Sequence, residues 1–331
     1  MPLSRRSFLA GTVAAPALAA AAGALGGCAG TVVQPGDLSR LRLMAPASPG
    51  GGWDTTARVF QRVVQTSGLA RNVQVFNVEG AGGTIGLGQL ARETDDALLM
   101  MMGLVMVGAV DTNDSATRLS DVTPIARLIG ETELIVAPAE APYTDIRGFV
   151  EAWAADPAGT PIAGGSAGGT DQILAGLLAE AAGIDPGQVN YIAYSGGGES
   201  LAALLGNQVA AGISGPTDYG EQVRTGDLIG LAVSTAERSD QVPDVPTLVE
   251  SGFDVEVSNW RGLMARPGMS REAREDLTQL VVDVHDTPEW AEAVETNGWD
   301  DLLLTGDEYG DFLADEEARV RAILEQIGLV Q

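Results

Sequence analysis

The chain has 331 residues, 45% of them hydrophobic, and a formal net charge of −26. That length can bury two full cores. All 19 basic residues are arginine, which excludes a phosphate-loop lysine, a Schiff-base lysine and a lysine general base. A chain this acidic repels nucleic acid and anionic membranes. An anion would have to be held by local dipoles and a few arginines, with distant carboxylates screened over about 8–10 Å.

Ser4-Arg5-Arg6-Ser7-Phe8-Leu9 reads as a twin-arginine export signal, followed by an alanine-rich apolar stretch. The stretch ends in Leu25-Gly26-Gly27-Cys28, the pattern of a lipoprotein signal peptide. An uncleaved membrane anchor is the alternative, because the stretch is nearly long enough to span. The expectation is a signal peptide over 1–27, lipidation of Cys28 and a tether over 28–39. The mature chain would then sit on the outer face of the cytoplasmic membrane, anchored by the acyl chains of Cys28. Cys28 is the only cysteine, so no disulfide is expected.

Beyond residue 40 strands and helices alternate. Leu41–Ala45 is a short apolar run, and Asp54 is placed to cap a helix carrying Ala57, Phe60, Val63 and Val64 at helical spacing. Val73–Val78, Ala97–Met102 and Ile135–Ala137 read as strands, and Ile146–Ala155 as a helix stopped by Asp156-Pro157. Pro161–Ala163 leads into a glycine turn and the helix Asp171–Ala182. Val189–Ala193 precedes the helix Ser200–Leu205, and strands Val209–Ser214 and Leu228–Ser234 flank the helix Asp218–Thr225. Val255–Ala265 is extended, Arg271–His285 is a helix, and the last helix covers about Asp307–Ile327. This alternation predicts an α/β fold with mainly parallel sheets and a ligand at the carboxyl ends of the strands.

Glycine-rich turns fall at those ends: Pro49-Gly50-Gly51-Gly52-Trp53-Asp54, Gly80-Ala81-Gly82-Gly83-Thr84 and Gly164-Gly165-Ser166-Ala167-Gly168-Gly169-Thr170-Asp171. Glycine admits close approach of a ligand, and a helix start offers unpaired N–H donors with a partial positive charge. The turns at 49–54 and 164–171 are similar enough to suggest two equivalent domains. Tyr194 and Ser195 add hydroxyls near another helix start. Asp54, Asp171 and Glu199 read as caps, since carboxylates there would repel an anion.

Other motifs point elsewhere. Gly164-Gly165-Ser166-Ala167-Gly168 matches a nucleophile elbow, and a serine hydrolase would need His285, the only histidine, as its base. His285 instead lies in the last turn of a helix, where it complements the dipole. Gly86-x-Gly88-x-x-Ala91 resembles a dinucleotide fingerprint but reads better as small residues packing within a helix. One histidine and one cysteine cannot build a soft metal site. Arg261, in the apolar Asn259-Trp260-Arg261-Gly262 stretch, has to meet either an acidic neighbour or an anionic ligand.

The ordered series of Pro49–Asp54, Asn77 with Gly80–Gly83, Gly164–Asp171, Tyr194–Glu199, Asp244-Val245-Pro246-Thr247-Leu248-x-Glu250-x-Gly252 and Asn259-Trp260-Arg261-Gly262 runs through the whole mature chain. It resembles the substrate-binding proteins of tripartite tricarboxylate transporters, the TctC/Bug group. Gln172 departs from the pattern, in which a histidine often follows the third turn. The resemblance implies a type II periplasmic-binding-protein fold, two α/β domains with a ligand cleft between them. Domain 1 would be discontinuous, 40–134 plus 236–331, and domain 2 would be 135–235. The implied ligand residues are Ser48, Gly50, Gly51, Gly52 and Trp53; Ala81, Gly82 and Gly83; Gly165, Ser166, Ala167, Gly169 and Thr170; Tyr194, Ser195, Gly196 and Gly197; and Arg261. The implied function is capture of a small carboxylate, such as citrate or a dicarboxylate, for delivery to membrane permease subunits. No catalysis and no cofactor are implied, and a monomer is expected. A carboxylate sensor feeding a signalling partner is an alternative of the same shape.

Overall fold

The computed structural model describes residues 40–165, 167–194 and 197–331. The signal segment, the tether with Cys28, and Ser166, Ser195 and Gly196 lie outside the described residues.

The chain begins β1 (Arg40–Ala45), α1 (Gly52–Thr66), β2 (Asn72–Asn77), α2 (Thr84–Leu90), β3 (Leu98–Gly103), α3 (Leu104–Thr112) and β4 (Thr123–Gly130). It continues β5 (Leu134–Pro138), α4 (Ile146–Ala155), β6 (Ile162–Gly164), α5 (Thr170–Ala181), β7 (Tyr191–Ala193), α6 (Gly197–Leu205), β8 (Ala211–Ser214), α7 (Pro216–Thr225) and β9 (Leu228–Val233). It ends β10 (Arg261–Ala265), α8 (Arg271–His285), α9 (Pro288–Asn297), β11 (Asp300–Thr305) and α10 (Gly306–Gln326).

Two mixed sheets result, ordered β11-β4-β10-β3-β1-β2 and β7-β6-β8-β5-β9. In the first, β1 pairs in parallel with β2 and β3, and β10 enters antiparallel between β3 and β4. In the second, β6 pairs in parallel with β7 and β8, and β5 runs antiparallel between β8 and β9. The expected α/β alternation with mainly parallel strands is therefore present, with the returning strands running the other way.

Several elements differ from the expectation. The run Leu98–Val110 is almost wholly apolar and buried, yet it is a strand and then a helix, divided at Gly103. With no polar face, α3 has no helical period to read. Similarly, β4, β11 and α9 carry no alternation strong enough to predict. Helix α7 starts at Pro216, not Asp218, with Gly215 as its N-cap. Only Arg261–Ala265 of the long extended stretch is regular strand. The dinucleotide-like glycines lie in or beside α2, where a methyl group on Gly86 would stand 2.8 Å from Pro46 Cβ, so they serve packing.

The aspartates expected as caps do something else. Gly51 is the N-cap of α1, and Asp54 sits inside the first turn. Its Oδ2 accepts the Gly50 N–H at 2.9 Å and the Arg58 Nε–H at 2.9 Å, while Oδ1 accepts from Asn77 Nδ2 at 2.8 Å. Asn77 also donates to the Ala47 carbonyl at 2.9 Å, which fixes the loop from both ends. Gly50 takes φ +85°, so the tight turn depends on glycine there. Likewise Gly169 is the N-cap of α5, and Asp171 Oδ2 accepts the Gly165 N–H at 2.5 Å. Both turns are thus braced by a carboxylate from the helix they introduce.

The chain passes from the first sheet to the second over 131–133 and returns through 234–260. These segments are stitched together. Ser234 Oγ accepts the Glu133 N–H and donates to the Val257 carbonyl, and Asn259 N donates to the Glu131 carbonyl at 2.8 Å. Helix α3 meets the other side: a methyl on Gly108 would stand 2.5 Å from the Gly168 carbonyl oxygen.

Two outcomes follow from this framework. The Arg58 hydrogen bond, with help from Gly50 and Asn77, outweighs burial and holds Asp54 at a pKa of about 2, below its ordinary 3.8. A depressed carboxylate stabilises the fold above its unfolded pKa, and that stability is lost as pH falls from about 4 towards 2. Asp54→Asn should remove up to about 2 kcal/mol at pH 7 and flatten the acid limb of the stability profile, read by urea unfolding. Gly108→Ala should cost about 1–3 kcal/mol by overpacking against the third turn, read by the same method; an unchanged midpoint would contradict the contact.

Candidate functional site

A cavity of about 420 Å³ lies where the crossing segments meet the carboxyl ends of both sheets. Its lining includes Gly50, Gly52 and Thr55 at the start of α1, Asp171 at the start of α5, and Gly215, Thr217 and Asp218 at the start of α7. The caps of these helices, Gly51, Gly169 and Gly215, supply no side-chain hydrogen bond. In α7 Pro216 has no N–H and the Asp218 N–H bonds the Gly215 carbonyl at 3.0 Å, so the first-turn N–H groups left for a ligand or solvent are mainly those of α1 and α5, with that of Thr217. Three positive helix ends converge on one space.

The side chains around that space carry the opposite charge. Glu131, Glu133, Asp171 and Asp218 line it against a single arginine, Arg261. Arg261 is buried, pairs through Nη2 with Glu131, and donates from Nη1 to Thr56 Oγ1 at 2.7 Å. Of the two partners left open by the sequence, the acidic neighbour is present. Glu131 also accepts from Trp299 Nε1 at 2.7 Å. A methyl on Gly52 would come within 2.7 Å of Arg261 Nη2, so the glycine makes room for the guanidinium.

Glu133 is 2% exposed. Burial, then Asp171, Glu131 and Asp218, push its carboxyl well above the usual range, and a hydrogen bond from Asn259 only partly opposes this. Its Oε2 has no hydrogen-bond partner among the described residues. Burial, with a smaller contribution from Asp218, raises Asp171 to about 6 against the pull of the Gly165 N–H. Asp218 accepts from Ser214 Oγ at 2.6 Å, and Gly197 lies so close to its carboxylate that a methyl there would collide with it.

The expected site residues divide as follows. Gly50, Gly52 and Arg261 line the cavity. Ser48 accepts the Gly51 N–H at 3.0 Å, so that amide is used within its own turn. Trp53 packs on hydrophobic clusters on both faces of the first sheet. Ala81, Gly82 and Gly83 form a 3-10 turn, all with positive φ, against Val105, Met106 and Ala109 of α3. Gly165, Ala167 and Gly169 lie in the third turn, where the Gly168 N–H is held by Gln172 Oε1 at 2.8 Å. Thr170 Oγ1 is buried with no partner among the described residues. Tyr194 N donates to the Gly164 carbonyl at 2.9 Å, and Gly197 opens α6. None of these lines the cavity, and Ser166, Ser195 and Gly196 lie outside the described residues. His285 bonds Asp286 at 3.1 Å and Asp301 at 2.8 Å and does not line the cavity either.

Sequence reasoning missed Glu131, Glu133, Asp218 and Gly215. Signals existed for three of them: Ser214-Gly215-Pro216 is a strand end, a glycine and a proline suited to the first helical position. Glu131 and Glu133 interrupt the apolar run from Ile125 to Val136, where an unpaired charge is costly.

Comparison with known proteins agrees with this architecture. Residues 56–329 match the model of the tripartite tricarboxylate transporter family receptor, TctC. Protein BugT of Bordetella pertussis is 27% identical over 299 residues, covering 87% of this chain and 89% of BugT. The crystal structure of a TctC solute-binding protein from Polaromonas superposes with a TM-score of 0.73 at 23% identity, covering 87% of this chain and 98% of that one. MatC from Rhodopseudomonas palustris, solved with bound malate, gives 0.68 at 23% identity over 86% of this chain and 98% of MatC. The two-sheet architecture is thus a periplasmic-binding-protein fold, and the chain belongs to the TctC receptor family of tripartite tricarboxylate transporters.

Proposed function

We propose that this protein is an exported receptor that captures a small carboxylate between its sheets and hands it to the permease subunits of a tripartite tricarboxylate transporter. The observation that carries this reading is the convergence of the N-termini of α1, α5 and α7 on one cavity. The family membership and the malate bound by MatC support it. The two bodies, 40–134 plus 236–331 and 135–235, close on the ligand about the stitched crossings, and the closed form is what the permease recognises. The sequence of the N-terminal segment supports export through the twin-arginine signal and anchoring by lipidated Cys28.

First-turn amides of α1 and α5 and the amide of Thr217 hold one carboxylate, and Thr170, the glycines of the third turn and the Tyr194–Gly197 segment contact the rest of the ligand as the bodies close. Arg261, already paired with Glu131, holds the α1 turn in place beneath Gly52. Charge-assisted hydrogen bonds contribute about 1.5–3 kcal/mol each, so three to five give roughly 5–15 kcal/mol gross. Closure and desolvation subtract several, leaving about 8 kcal/mol, near micromolar affinity. The four acidic side chains of the lining favour a ligand with fewer carboxylates than citrate.

Thermal-shift and calorimetric screening of mono-, di- and tricarboxylates tests the reading. A ligand at a hundred times its Kd should stabilise the fold by about 2.7 kcal/mol. No stabilisation by any carboxylate would overturn it. Gly52→Val should displace Arg261 and the α1 N-terminus and weaken binding at least tenfold while circular dichroism stays native. Retained affinity would remove that turn from the site.

A further inference from the structure

We infer that the ligand of this cavity carries a cationic amine as well as a carboxylate, with the carboxylate at the helix N-termini and the amine against Glu133. The inference rests on the carboxylate reading above and narrows it to amino carboxylates of zero or positive net charge.

The argument begins with an unsatisfied group. Glu133 is held rigidly by the crossing segments: its backbone N–H donates to Ser234 Oγ at 2.9 Å, and its carbonyl accepts from Ser234 N at 2.9 Å. Its carboxylate is buried, faces the cavity, and has one oxygen without a donor among the described residues. A buried carboxylate without a partner is costly, and a fold keeps one where a ligand completes it. The donor the site lacks is a cationic N–H.

The surroundings select that donor's charge. Glu131 is already matched by Arg261 and Trp299, so its charge is balanced within the fold. Glu133, Asp171 and Asp218 line the same cavity with no ion pair to an arginine among the described residues, and the charges of Asp171 and Asp218 add to burial in raising the proton affinity of Glu133. A dicarboxylate would add two charges of the same sign to this field. An ammonium group reverses the balance at Glu133, while the other end of the ligand still meets the positive helix ends. The described residues contain no group of three acidic, histidine or cysteine side chains disposed to hold a metal ion. The cation that fits therefore brings its own hydrogen-bond donors.

Length-matched pairs separate charge from size: succinate against 4-aminobutanoate, and adipate against 6-aminohexanoate, with ornithine and lysine added. Calorimetry on the native protein at pH 7.5 should give at least tenfold tighter binding for the amino member of a pair. Glu133→Gln should lower affinity for the best amino carboxylate at least tenfold and narrow its advantage over the matched dicarboxylate. The same variant should melt no lower than the native protein without ligand, because it removes a buried carboxyl that must either carry an unpaired charge or take up a proton to avoid it; this also shows that the variant folds. Tighter binding of succinate or adipate, or an amino carboxylate indifferent to Glu133→Gln, would overturn the inference and leave the carboxylate reading standing. Failure of every compound in both sets would overturn the inference, and failure of the wider carboxylate screen as well would overturn both.

Discussion

The site depends on how one arginine is neutralised. Arg261 begins β10, the returning strand that slots between β3 and β4, and its guanidinium sits under Gly52 at the start of α1. A cation at a helix N-terminus opposes the dipole. Glu131, at the exit of β4, and Thr56, in α1, take up its donors, and Trp299, before β11, holds the other oxygen of Glu131. One ion pair thereby joins the first sheet, the first glycine turn and the crossing between sheets. Breaking it would leave a buried charge unpaired, a loss far larger than the pair's own net worth.

With that arginine committed, the cavity has no other basic side chain among the described residues to attract an anion. The chain has no lysine, so positive potential comes from the peptide dipoles of α1, α5 and α7. The glycine turns preceding α1 and α5 are shaped to expose those ends, and Asp54 and Asp171 hold the turns by accepting the amides of Gly50 and Gly165. These carboxylates use some of the turn amides themselves. The arrangement trades amide donors for rigidity and leaves mainly the remaining first-turn amides of α1 and α5, with that of Thr217 in α7, to the ligand. Polarity in the cavity is therefore divided, with positive helix ends facing the carboxylates of Glu133, Asp171 and Asp218.

Much of the fold was legible because its signals are local. The period of Ala57, Phe60, Val63 and Val64 marks α1, and the structure adds the local caps Ser270 at α8 and Thr287 with Pro288 at α9. The run Leu98–Val110 was not legible as two elements, because a sequence buried on every side has no period. The candidate site was legible in part. The glycines and Arg261 stand out by composition, and Gly50, Gly52 and Arg261 line the cavity. Glu131 and Glu133 are visible as charges in an apolar run, but nothing local tells whether such a carboxylate faces a partner, water or a ligand.

The sequence by itself determined the α/β alternation, the glycine turns at strand ends, the absence of lysine chemistry and the resemblance to TctC receptors. Each is written in residue type and spacing over a few neighbours. Tertiary structure alone decided which carboxylates meet. Glu131 lies 130 residues from Arg261 in the chain and pairs with it, while Glu133 lies two residues further on and keeps one oxygen unmatched. Residues two apart on an extended segment share a face, and both line the cavity, so the difference lies in what the fold brings to each: Arg261 and Trp299 reach Glu131, and no donor among the described residues reaches Glu133 Oε2. Electrostatic pairing falls off with distance in space, so it could be assigned only once the fold had brought these residues together.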